Sequence, residues 1–111
     1  MQLSEDEIGF LVDGERRILG ITDLALDFLG LNRMDVLTMN FFNFMDEKDR
    51  RGLKEGFKKG LKGISERIAF RLKVNESETR PFEGKLLRMS AKNEKGLLIL
   101  LRELRNGGLD E

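Results

Sequence analysis

The sequence predicts an α+β domain, with strands toward both ends of the chain and short helices between them. Three observations point there. An Asp13-Gly14 pair separates two apolar runs, 8–12 and 16–21, and reads as a hairpin turn. From 64 to 74 apolar and polar residues alternate, with Ile68, Phe70, Leu72 and Val74 on one side and Arg67, Arg71 and Lys73 on the other. Between these regions Leu24, Ala25, Phe28 and Leu29, and then Leu53, Phe57 and Leu61, recur at helical spacing. At 111 residues and 40% hydrophobic content, the chain has room for one domain with a single moderate core.

In chain order, residues 3–7 form a helical turn that leads into a first strand, 8–12, apolar on both faces. The chain turns at Asp13-Gly14 and returns antiparallel over 16–21. The stretch 18–44 organises the rest. Ile18, Leu19 and Ile21 favour a strand, and Thr22 or Asp23 offers a side-chain oxygen to cap a helix that Gly30 stops in a left-handed conformation. Asn32 caps a second turn carrying Val36 and Leu37, and the run 40–45 then places three of the chain's eight phenylalanines within five positions, which calls for burial.

A longer helix starts at Asp46 as N-cap, with Glu47 and Asp49 in its first turn and Lys58, Lys59 and Lys62 in its last, the polarity the helix dipole favours. Beside its buried stripe runs a second one, Gly52, Gly56 and Gly60. Three interior glycines cost the helix about 2–3 kcal/mol relative to alanines. They are expected either to let the helix approach the sheet closely or to keep it mobile.

Gly63 ends this helix and the alternating strand 64–74 follows. After a polar turn over 75–79, Arg80-Pro81 opens a fourth strand with Phe82, Gly84 and Leu86 on one side and Glu83, Lys85 and Leu87 on the other. A charged turn over 91–96 leads to the last strand, 97–101, which is apolar at every position, so both of its faces are covered. One face belongs to the domain's own core. The other is assigned to a second copy of the chain, in a homodimer packed around Phe10, Leu98 and Leu100, or around Leu97, Ile99 and Leu101 if the register is opposite.

Composition removes several functions. Twenty basic and twenty acidic residues cancel, so no global field draws nucleic acid or anionic lipid, and the basic residues of 48–62, interleaved with Asp49 and Glu55, read as a solvated helix face. Without cysteine there is no disulfide, thiolate metal site or cysteine nucleophile, and without histidine the commonest proton carrier and metal ligand is missing. The carboxylate pairs Asp46-Glu47 and Glu5-Asp6-Glu7 stand at helix starts, where capping and solubility explain them. No enzyme is expected. The acidic N-terminus and the lack of a span-length apolar run place the chain in the cytoplasm, with no membrane partner.

Thr22-Asp23-Leu24-Ala25, Phe28-Leu29-Gly30-Leu31, Met34-Asp35-Val36-Leu37, Asn40-Phe41-Phe42 and Asp49-Arg50, in that order and spacing, resemble the central signature of PAS domains. Weaker similarity extends from Ile8 to Leu104. The resemblance implies a five-stranded antiparallel sheet with short helices packed on one face, spanning 8–105, between an N-terminal cap segment 1–7 and a flexible tail 106–111. It also implies a sensory or protein-interaction module in signal transduction or transcription control, coupled to an effector domain, a kinase domain or a partner protein. The chain departs from the family pattern at Thr22, Thr38, Asp46-Glu47 and Pro81. It also carries Glu103-Leu104-Arg105 where many relatives have an Asp-Ile-Thr that passes signals to the next domain.

The resemblance further implies a cavity between helices and sheet. Lacking cysteine and histidine, the chain cannot form a covalent flavin adduct or hold haem through histidine, which leaves a small apolar metabolite or no ligand. The candidate lining is Phe28, Met39, Asn40, Phe42, Met45, Gly56, Phe57, Gly60, Phe70 and Phe82, within a wider set that adds Phe41, Phe44 and Met89; Arg80 joins Asn40 as a polar group for a ligand head. The same apolar residues equally describe a sealed core, and the alternative function is a ligand-free homodimerisation or scaffold module.

Overall fold

The structure, a computed structural model, describes residues 7–75, 77–91 and 94–104; the expected tail and all of the cap segment but Glu7 lie outside them. Strands β1 (Ile8–Asp13) and β2 (Ile18–Ile21) are followed by helices α1 (Asp23–Leu29) and α2 (Arg33–Val36) and a 3-10 turn at Phe41–Phe44. Helix α3 (Glu47–Leu61) leads into β3 (Glu66–Asn75), β4 (Glu78–Ala91) and β5 (Glu94–Glu103). The strands form one antiparallel sheet in the order β2-β1-β5-β4-β3, with the helices on one face.

Local chemistry sets the connections. The Asp13 carboxylate accepts the N–H groups of Glu15 at 2.8 Å and Arg17 at 2.9 Å and pairs with the Arg17 guanidinium at 2.8 Å. The left-handed residue of this turn is Arg16, with φ of 71°, and not Gly14. One residue of slip between β1 and β2, Val12 pairing Ile18 while Leu11 pairs Gly20, leaves Leu19 as the extra residue, turned outward and 50% exposed.

Thr22 caps α1 as expected. Its hydroxyl oxygen accepts from Ala25 N at 3.4 Å and from Gly9 N at 3.0 Å, and its hydroxyl donates to the Glu7 carbonyl, so a single buried side chain ties the helix start to β1. Gly30 ends α1 with φ of 67°. Asn32 holds the N-cap position of α2, but its side chain makes no capping hydrogen bond. Asp46 caps α3 by accepting Lys48 N at 3.0 Å, and that bond holds its carboxyl below the usual carboxylate range.

The strands run longer than their sequence boundaries. β4 begins at Glu78, so Pro81 lies inside it, opposite Arg71. The Pro81 carbonyl accepts from Leu104 N at 2.9 Å, while Arg71 N points the other way and donates to the Asp49 carboxylate at 2.9 Å. The proline's missing N–H therefore removes no bond from the β3–β4 ladder. Ile64, expected at the start of β3, lies before it and is exposed.

Register divides β5. Leu97, Ile99 and Leu101 belong to the core cluster on the helix side; Leu98 and Leu100 take the outer face by alternation, and Leu98 lies outside that cluster although only 2% exposed. Phe10, expected at a dimer interface, is corrected by the same rule. It pairs with Ile99, is fully buried, and meets Phe41 edge to face at 5.0 Å, so it is a core residue.

The glycine stripe splits as well. A Cβ at Gly56 would stand 1.9 Å from Ile68 Cδ1 and 3.3 Å from Leu86 Cδ1, and one at Gly60 would stand 3.0 Å and 3.2 Å from the Leu97 methyls. These two residues let α3 settle against β3, β4 and β5. Gly52 is exposed with nothing within 4 Å of a Cβ, and close packing does not explain it.

Both outer strands carry covers. Ile18 N and O bond to Met39 O and Thr38 N at 2.8 Å each, Arg16 O accepts Phe41 N at 2.8 Å, and Arg33 reaches the Ile21 carbonyl. On the far side Met45 bridges Leu72, next to the Asp49–Arg71 contact. Free strand edges invite pairing with other chains, and here part of each edge, Ile18 and Ile21 on β2 and Arg71 and Leu72 on β3, is occupied by the chain's own residues.

Candidate functional site

Helix–sheet packing brings most of the candidate lining together as a filled core. Met45, Phe57, Phe70 and Phe82 are buried, as are Gly56 and Gly60. Phe41 stands at the centre, its ring 5.0 Å from Phe10, 6.1 Å from Phe70 and 6.4 Å from Phe57, while Phe42 lies 6.3 Å from Phe57. These are packing distances for aromatic rings, so the part of the space between α3 and the sheet that these phenylalanines bound is taken by their own side chains.

Two candidates serve the backbone. Asn40 accepts Phe42 N at 2.9 Å, capping the 3-10 turn, and donates to the Glu15 carbonyl at 3.2 Å. Met39 offers its backbone carbonyl to Ile18. Met89, grouped by sequence with the core, sits on the outer face instead, opposite Gly96.

At the rim of the core Phe28 and Phe42 are half-buried, each under a guanidinium: Arg80 lies 5.4 Å from the Phe28 ring and Arg16 lies 4.5 Å from the Phe42 ring. Beyond Phe28 opens a hollow of about 400 Å³ lined by Leu24, Asp27, Phe28, Val74, Glu78 and Arg80. Sequence reasoning found Phe28 and Arg80 but missed the other four, because the hollow forms only when the β3–β4 hairpin folds against α1.

The outer sheet face is the second feature. Its centre is apolar, with Leu98 flanked by Leu11 and Leu87, and a shallow concavity of about 170 Å³ involves Leu11, Leu19 and Met89. Toward β3 the face turns charged, where Glu83 pairs with Arg102 at 3.0 Å and with Arg67 at 3.8 Å. Among the described residues no group of three or more acidic side chains is placed to hold a metal, and no helix is long and apolar enough to cross a membrane.

Comparison with known proteins agrees with this architecture. The sequence profile of the PAS fold matches residues 4–103. Among solved structures, the PAS domain of an HTR-like protein from Haloarcula marismortui is 16% identical, with a TM-score of 0.77 over 89% of this chain and 82% of that one. A PAS domain from a two-component sensor histidine kinase is 15% identical, with a TM-score of 0.75 over 88% of this chain and 85% of that one. The PAS-B domain of Drosophila melanogaster Cycle, solved with bound ethylene glycol, is 14% identical, with a TM-score of 0.75 over 87% and 99%. No curated protein matches the sequence. Matched along nearly its whole length and folded as five antiparallel strands around helices on one face, the chain belongs to the PAS family of sensory and signalling modules.

Proposed function

We propose that this PAS domain acts as a homodimeric signalling module whose two copies pack outer sheet face against outer sheet face. The observation that carries the reading is the apolar centre of that face, the half-buried Leu11, Leu87 and Leu100 around the buried Leu98, in a sheet whose edges are each partly covered by the chain's own residues. Burial on self-association then comes from the half-buried Leu11, Leu87 and Leu100, since Leu98 at 2% exposure has little left to bury.

The filled interior favours a relay of protein contacts over a small apolar metabolite held in the core, since a core ligand has to displace rings already in mutual contact. The partner that reads the signal is an effector or kinase domain, as the histidine-kinase relative suggests.

Light scattering over a range of protein concentrations tests the dimer. The wild type is expected to show twice the chain mass at high concentration, and Leu100→Glu together with Leu19→Glu to show the single-chain mass with an unchanged circular dichroism spectrum. A wild type that stays monomeric at every concentration refutes the reading.

A further inference from the structure

We propose that the hollow beside Phe28 binds small organic cations, namely ammonium compounds that carry a short apolar or aromatic tail. This goes beyond the dimer reading and stands on a different part of the molecule. At about 400 Å³ the hollow falls in the size range of small-ligand pockets, roughly 300–1,000 Å³. Its walls come from two elements that pack together only in the fold, Leu24, Asp27 and Phe28 from α1 and Val74, Glu78 and Arg80 from the β3–β4 hairpin.

The apolar part is firmly set. Phe28 meets the fully buried Phe82 edge to face at 5.7 Å, so its ring is held from behind, and Leu24 and Val74 complete a surface suited to a hydrocarbon tail.

The charges decide which head group fits. Arg80 Nε lies 3.4 Å from the Glu78 carboxylate and 3.7 Å from that of Glu103. The exposed Asp27 carboxylate makes no ion pair among the described residues. Of the charged groups lining the hollow two, Asp27 and Glu78, are acidic and one, Arg80, is basic, and an anion approaching Arg80 meets the Glu78 and Glu103 carboxylates already there. The ring itself shows the preference, since Arg80 holds its guanidinium 5.4 Å from the Phe28 centroid. A cation beside an aromatic face is stabilised by the ring quadrupole, and nearby carboxylates add to that attraction.

The test uses two probes of matched size and opposite charge, phenethylammonium and 3-phenylpropionate, titrated into the full chain while backbone amide shifts are followed by NMR. Phenethylammonium is expected to give saturable shifts clustered in 24–28 and 74–80, weakened by added salt, and 3-phenylpropionate to give none. Arg80→Gln removes the competing cation and is expected to tighten phenethylammonium binding about threefold. The exposed substitution Asp27→Asn is expected to weaken it by a similar factor and leaves the fold intact. Binding of 3-phenylpropionate, a weakening by Arg80→Gln, or no saturable shift with either probe overturns the assignment.

Discussion

Replacing the α3 glycines one at a time separates helix propensity from packing. Alanine at an interior helix position gains about 1 kcal/mol over glycine. At Gly52 nothing opposes that gain, because no atom lies within 4 Å of the new Cβ. Gly52→Ala should therefore stabilise the domain by about 1 kcal/mol, raising Tm by about 4 °C. At Gly60 the Cβ would press on the Leu97 methyls at 3.0 Å and 3.2 Å, and Leu97 is fully buried, so the strain of overpacking, about 1–3 kcal/mol, offsets the propensity gain or exceeds it. At Gly56 the 1.9 Å approach to Ile68 Cδ1 forces that side chain into another rotamer; Ile68 is half-buried and has room to move, while the 3.3 Å contact to Leu86 stays. The expected order of stability is Gly52→Ala above wild type, then Gly56→Ala, with Gly60→Ala at or below wild type. Urea denaturation of the three variants with a shared slope reads that order directly. A uniform gain at all three sites would show that α3 does not lie as close to β5 and β4 as described.

Thr22→Val keeps the side-chain shape but strips the hydroxyl from Gly9 N, Ala25 N and the Glu7 carbonyl. Losing a cap and leaving buried backbone groups unpaired should cost about 2–3 kcal/mol by urea denaturation. Thr22→Ser should cost far less, and equal losses for the two would place the effect in packing. Burial pushes the Asp13 carboxyl up, but the N–H groups of Arg17 and Glu15 and the Arg17 guanidinium together outweigh it and hold the group below its ordinary value. A lowered folded pKa means the stabilisation is complete above the ordinary carboxylate range near about pH 4 and is lost as pH falls through the folded value. Thermal melts should thus show Asp13→Asn less stable than wild type at neutral pH and the gap closing in acid; a gap independent of pH counts against it.

Much of the architecture was legible because the deciding signals are local. Alternation in 64–74 placed Phe70 and Leu72 inward, and Thr22, Gly30 and Asp46 marked helix ends through chemistry of their own side chains or backbone. Where a strand is apolar on both faces, alternation is silent. Phe10 could not be assigned a side until its pairing with Ile99 was known, and β5 became readable only through the same ladder. Strand ends were underestimated because pairing partners, not propensity, prolong β4 past Pro81 to Glu78. The candidate site was half visible. Phe28, Phe82 and Arg80 stood out as types, but Asp27, Leu24 and Val74 gain meaning only from neighbours about fifty residues apart. Repetition misled at Gly52, which shares the spacing of Gly56 and Gly60 but not their surroundings.

The strap 38–41 over β2 and the Met45–Asp49 cover over β3 also govern how crowded copies behave. Where those borders are stitched, an incoming segment finds no unpaired backbone to extend, so the stretches around Ile18 and Leu72 are the ones least able to template growth from one molecule to the next.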